Sequence, residues 1–340
     1  MKPGALRYLA GRLAWAIGIV ALVAVGTFLV DHALPSDPAR MIAGPQARPA
    51  DVARIRTQLS LDQPLTTQLA RWSRRLVHVG PSTFDAAHTP DHESCAHLGP
   101  VHLDLGRSHQ QHRPVVQILS KRWPFTAALA IAGTTLSVLL GALTGVFAAL
   151  RKGKALDAAS VGLAVLGVST PTFILGVLLQ WIFADQLQWL PLNGAGDTLF
   201  DRAKHLVLPA LTLGLFGAAY YTRLVRSELL ELLEQDFVRT ARAKGASGAR
   251  VVVVHALRTA MLPLVTAIGL ELGALLGGAV VTEQIFSWPG LGQLAVRAVR
   301  DRDGPVLMGT VLVSAVAIVA CNLIVDALTA LLDPRVGRAS

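Results

Sequence analysis

Six stretches of the chain are apolar on every face, without the one-sided spacing of a soluble helix: residues 9–30, 125–150, 156–183, 206–222, 261–282 and 306–331. A bilayer core of about 30 Å needs about 20 residues at a rise of about 1.5 Å each, so each stretch is expected to span a membrane as a helix. The fourth, "LVLPALTLGLFGAAYY", is the shortest and contains Pro209, which membrane helices accept when neighbours satisfy the freed backbone. The first follows Lys2, Arg7 and Arg12, exceeds the apolar core of a secretory signal and lacks a small-x-small cleavage site in "DHALPSDP". It is therefore expected to remain as an anchor.

Between the first two stretches the pattern turns polar. In "GPQARPADVARIRTQLSLDQPLTTQLARW", residues 44–72, Pro49 and Asp51 suit a first helical turn, and Val52, Ile55 and Leu59 recur at helical spacing. A small amphipathic helix is expected there, followed by an irregular insertion over 80–100, "GPSTFDAAHTPDHESCAHLGP". The expected organisation is a first span over 1–30, a loop subdomain over 31–122 and a helical core over 123–340.

Lysine and arginine in the short loops orient the chain. With the N-terminus in the cytoplasm, that side receives Lys2, Arg7, Arg12, Arg151, Lys152, Lys154, the basic segment from Arg223 to Arg258, Arg335 and Arg338. The 31–122 loop is also rich in arginine, but long loops translocate regardless of charge, so both termini are expected to be cytoplasmic.

The segment over 223–260 carries a second pattern. Leu224, Leu229, Leu232, Leu233, Phe237, Val238 and Ala241 extend the fourth helix beyond its membrane portion, and Gly245 is placed to end it in the left-handed conformation. Lys244 lies near the negative end of that helix dipole. Ser247 is placed to cap a second helix with Val251, Val254, Leu257 and Met261 on one face, leading to Pro263. Two readings fit this helix, turn and helix: a basic loop that fixes topology, or a helix that docks into a partner's groove through the small residues Ala241, Ala243, Ala246 and Ser247.

Composition narrows the function classes. The 340 residues are 52% hydrophobic and 16% charged, against about a quarter charged in soluble domains. A net charge of +9 does not indicate nucleic-acid binding, because the basic residues are not gathered in a polar domain with interleaved aromatics. The chain lacks the phosphate loop G-x-x-x-x-G-K-[ST], the serine elbow G-x-S-x-G and the zinc motif H-E-x-x-H, so neither nucleotide hydrolysis nor independent hydrolase chemistry is supported. Cys95 lies in the polar loop and Cys321 inside the last apolar stretch, settings that do not suit a shared disulfide.

Eight of the ten histidines lie in the outer loop, where His88, His92, Cys95 and His97 offer metal-binding side chains at a spacing that matches no closed zinc pattern. In "FSWPGLGQL", Pro289 and Gly290 have the composition of a type II turn and Trp288 suits a membrane interface. Glu271 and Asp326 fall inside expected spans, where an ionisable group lines a path or pairs with a neighbouring helix. Glu283, at a span boundary, calls for no such explanation.

The segment over 238–263 resembles the EAA loop of the membrane subunits of ATP-binding-cassette importers, in the variant of peptide and nickel permeases. Arg239, Thr240 and Ala241 replace the opening Glu-Ala-Ala, Gly245 matches the motif glycine, and Leu262 and Pro263 match its close. "LPSDPARMIAGPQARPADVARIRTQLSLDQPLTTQLARW", "LDLGRSHQQHRPVVQILSKRWPFTAALA", "TEQIFSWPGLGQLAVRAVRDRDGPVLMG" and "NLIVDALTALLDPRV" are similar to the first permease subunit of dipeptide and oligopeptide importers. The resemblance implies an all-α polytopic inner-membrane protein with six transmembrane helices of the type I importer permease fold and a long extracytoplasmic loop after the first. It implies a second, similar permease subunit, two cytoplasmic ATPase subunits that bind ATP and Mg, and an external solute-binding protein. This chain itself would hold no cofactor and catalyse no bond change. It further implies ATPase coupling by Arg239, Thr240, Ala241, Lys244, Gly245, Ser247 and Pro263, and an outer gate near Trp288, Pro289 and Gly290. Peptide is the expected cargo, with nickel or another small solute as the alternative. A secondary transporter would show several buried charges or paired broken helices at the midplane, and a membrane-anchored sensor would bind through the outer loop alone.

Overall fold

A computed structural model describes residues 3–33, 38–44, 46–58, 60–79, 95–98 and 101–332. Among the described residues, five helices are long and apolar enough to cross a membrane, over Gly11–Val30, Val115–Leu150, Leu199–Leu233, Thr259–Leu276 and Gly304–Thr329. They belong to α1 (Pro3–Ala33), α5 (Val115–Leu150), α8 (Leu199–Leu233), α11 (Leu257–Leu276) and α14 (Gly304–Leu332).

The expected third span departs from a single helix. Residues 156–183 fold as α6 (Ala155–Ser169), α7 (Thr172–Leu179) and a π-helical turn over Gln180–Gln186. Thr170 is extended at φ −88°, ψ 120°, because the ring of Pro171 excludes the helical conformation from the residue before it. Pro209 and Pro263, by contrast, lie inside α8 and α11.

Two compact units make up the chain. The first comprises Met1–Ala14, Phe125–Pro289 and Ala317–Ser340. Its core joins Tyr221, Val225, Leu229 and Leu232 of α8 to Ala256, Ala260, Leu264 and Ala267 near and along α11. Helices α5 and α8 approach through glycine: a Cβ at Gly145 would lie 2.8 Å from the Thr222 carbonyl oxygen, and one at Gly141 would lie 2.8 Å from that of Ala218. The hydroxyls of Thr144 and Thr222 share a hydrogen bond of 2.5 Å across this seam. On α11, Gly269 leaves room for Val325 of α14, and the buried Cys321 thiol donates to the Gly269 carbonyl at 3.4 Å. Both cysteines are free thiols.

The second unit comprises Trp15–Pro124 and Gly290–Val316. It contains α2 (Pro38–Ala43), α3 (Pro49–Gln58) and α4 (Leu65–Leu76), two helices over 49–76 where one was expected. Helix α3 starts at Pro49 with Asp51 in its first turn, as the sequence indicated. A small antiparallel sheet was not expected in an all-helical chain: β1 (Val77–Val79), β2 (Cys95–Leu98) and β3 (Val101–Asp104) pair in the order β1-β3-β2, with Val77 opposite Leu103 and Cys95 opposite Asp104. The irregular insertion expected over 80–100 thus gives way to a strand at Cys95, while 80–94 lie outside the described residues. Val115 and Leu119 pack with Leu291, Leu294 and Val306, joining α5, α13 (Leu291–Arg300) and α14. Ser108 donates its hydroxyl to Asp303, whose other carboxylate oxygen accepts the His109 N–H at 3.1 Å.

Candidate functional site: a glycine-turned hairpin

Helix α8 ends at Leu233, and a separate helix α9 runs over Asp236–Ala243. The sequence pattern suggested one continuous helix to Lys244; the break at 234–235 instead places Asp236 in a new first turn, where its charge suits the positive end of the dipole. The break also redistributes the apolar face. Leu229, Leu232 and Val238 are buried, whereas Phe237 is exposed.

Gly245 has φ +84°. The Ala246 N–H donates to the Ala241 carbonyl at 3.1 Å, the six-to-one bond of a Schellman end, with Gly245 in its left-handed position. Nothing lies within 4 Å of a Cβ added there, so the requirement for glycine is conformational. Ser247 then caps α10 (Gly248–Arg250), its hydroxyl accepting the Arg250 N–H at 3.4 Å. A π-helical stretch over Val251–Ala256 joins α10 to α11. Its wider turn buries Val251, Val252 and Ala256 and leaves Val254 exposed, so the expected face through Val251, Val254, Leu257 and Met261 is not one buried stripe.

Helix α9 packs on this π-helical stretch and the base of the hairpin joins the α8–α11 core. Its tip is free: Arg239, Thr240, Lys244, Gly245, Ser247 and Arg250 are exposed, and Ala241 is half-buried. The guanidinium of Arg239 lies 3.6 Å from Asp236, an exposed pair of little energetic weight, and the Thr240 hydroxyl donates to the Asp236 carbonyl at 3.0 Å. Pro263 lies in α11, beyond the hairpin. The described residues of the hairpin form a cationic, small-residue tip on a buried apolar base.

The other expected residues are dispersed. The type II turn at Pro289 and Gly290 does not form: Gly290 is extended at φ −92°, ψ −172° before α13, and Ser287 takes the positive φ of 50°. Trp288 is 2% exposed, and its indole N–H donates to the Phe125 carbonyl at 2.8 Å. This places it in a core rather than at an open interface, against the edge of the Phe125 ring. Glu271 accepts the Ser137 hydroxyl at 2.9 Å, and Asp326 pairs with Arg12 at 3.2 Å, so each carboxylate bridges helices of the same unit. Of the metal candidates, His88 and His92 lie outside the described residues, as does the His97 side chain, and Cys95 is buried in β2. Among the described residues, no group of three or more His, Cys, Asp or Glu side chains is placed to hold a metal.

Three residues were not singled out from sequence. Asp157 binds Arg226 through two hydrogen bonds, of 2.6 and 2.9 Å. Glu283 is fully buried in α12 (Val280–Ile285) and accepts the Thr126 hydroxyl at 3.0 Å, so this boundary carboxylate is an internal polar anchor. Asp157 and Arg226 are 69 positions apart, a separation at which neither helical nor strand periodicity carries information.

The family model for the binding-protein-dependent transport system inner membrane component matches residues 141–338, and that for its membrane component N-terminal region matches residues 5–130. The chain belongs to this permease family. It is 40% identical over 331 residues to the glutathione transport system permease protein GsiC of Salmonella paratyphi A, covering 97% of this chain and 99% of that protein. It is also 40% identical over 328 residues to a putative peptide transport system permease protein of Brucella abortus, covering 96% and 97%. Its fold is similar to an inward-facing structure of the MetNI methionine ABC transporter, with TM-score 0.53 and 22% identity over 65% of this chain and 98% of that chain. The glycine-turned hairpin falls inside the matched permease region. Within the family, the chain is an inner-membrane permease of the ABC importer type.

Proposed function

We propose that this permease carries peptides into the cytoplasm, and that the hairpin over 236–256 receives the force of a cytoplasmic ATPase. Its relatives named for glutathione and peptide transport, 40% identical over nearly their whole lengths, support the cargo class. The single observation that carries the coupling role is the left-handed Gly245 at the tip of a hairpin whose base is locked into α8 and α11. A rigid lever with a small, cationic tip is what a groove on a soluble partner can grip and displace.

On this reading both termini and the hairpin face the cytoplasm, and residues 31–122 face outward with α13 and Trp288, Pro289 and Gly290 at the outer gate. A second, similar permease completes the path, and an external solute-binding protein delivers the peptide. Two ATPase subunits bind ATP and Mg; their closure carries the docked hairpins and opens the path outward, and hydrolysis resets it. This chain supplies the path and the lever and changes no bond.

The test is reconstitution of the complete complex in proteoliposomes with radiolabelled di- and tripeptides. Import that requires both ATP and the binding protein is expected. Import without ATPase subunits would refute the coupling role and return the chain to the class of self-sufficient transporters.

A further inference from the structure

Resting on the transport reading above, we infer that Asp157 and Arg226 are positioning residues forming a strut that makes α6 follow the coupling hairpin. Asp157 lies in the first turn of α6 and is 6% exposed. One oxygen accepts from Arg226 Nε at 2.6 Å; the other accepts from Arg226 Nη2 at 2.9 Å and from the Gly153 N–H at 2.9 Å. The carboxylate therefore fixes its own turn and α8 at once. Arg226 lies about two helical turns before the end of α8, just ahead of the break that leads into α9.

The pair sits at one end of an extensive α6–α8 interface. Farther along, Gly167 of α6 meets Ala219 of α8, a contact of small apolar groups that carries no directional bond. A bidentate ion pair resists both translation and rotation, because its two parallel bonds fix orientation as well as distance. Lys152, in the same turn, reaches Glu234 at the end of α8 at 3.2 Å, but both side chains are exposed and the pair is weak. Helix α5 needs no such device, since it interlocks with α8 at Gly141 and Gly145. The hairpin thus drives α5 through packing, and α6 through packing to which one half-buried, bidentate ion pair adds a directional hold.

The test uses the complete complex in proteoliposomes, measuring peptide imported and phosphate released. In Asp157→Asn, Arg226→Gln and the double variant, hydrolysis stays within about twofold of wild type while peptide imported per ATP falls about fivefold or more. The double variant leaves no unpaired buried charge and is expected to insert normally. Arg226→Lys, which keeps charge but loses the bidentate geometry, gives an intermediate ratio. Wild-type coupling with an unchanged ratio in the double variant overturns the strut alone. Import and hydrolysis falling by the same factor in every variant also overturns it, because a merely structural role predicts that result. Wild-type vesicles that import nothing on ATP overturn the transport reading and the strut with it.

Discussion

At the scale of single residues, the hairpin turns on the backbone conformation of Gly245. With φ at +84° and open space around the missing Cβ, a substitution there is opposed by conformation rather than by collision. The left-handed conformation costs an ordinary L-residue about 1–2 kcal/mol, more for a β-branched one and less for asparagine. Gly245→Val is therefore expected to insert normally but lose ATP-dependent peptide uptake, with Gly245→Asn retaining most of it; uptake assays on membranes with matched protein levels check the order. Trp288 makes a different demand. Replacing it with phenylalanine removes the indole N–H that satisfies the Phe125 carbonyl, a loss of about 0.5–1.5 kcal/mol before any cavity is counted, seen as a lower melting temperature in detergent. The glycine was legible in the sequence because a helix end is a local event. The tryptophan's burial was not, because its partner lies 163 positions away.

At the scale of elements, the α5–α8 seam depends on the absence of side chains. Gly145→Leu would drive a Cβ against the Thr222 carbonyl and Val225, and overpacking of this kind costs about 1–3 kcal/mol. Gly162→Ala on α6 meets nothing within 4 Å and is expected to hold or slightly raise the melting temperature, so the pair of variants separates packing from general helix propensity. Five spans were legible because a run of about 20 apolar residues is a one-dimensional signal. Hydropathy read through Pro171, whose effect on Thr170 is steric and invisible to an apolarity count, and so merged α6 and α7. The small sheet escaped for the opposite reason: strands of three and four residues carry too few positions for alternation to declare itself.

At the scale of the whole molecule, hydropathy gives a membrane protein with a basic segment between two of its apolar helices, and the structure adds which part of that segment is exposed. The base of the hairpin is buried through Val238, Val251 and Ala256, and its tip is exposed at Lys244, Gly245, Ser247 and Gly248. The most direct test of the central claim is quantitative co-purification from native membranes, with mass spectrometry of the ATPase recovered per copy of this chain, for wild type and Gly245→Val. A second permease is expected with both forms, and ATPase subunits with wild type that are largely lost from the variant. Equal ATPase recovery with both forms, or none with intact wild type, would contradict it.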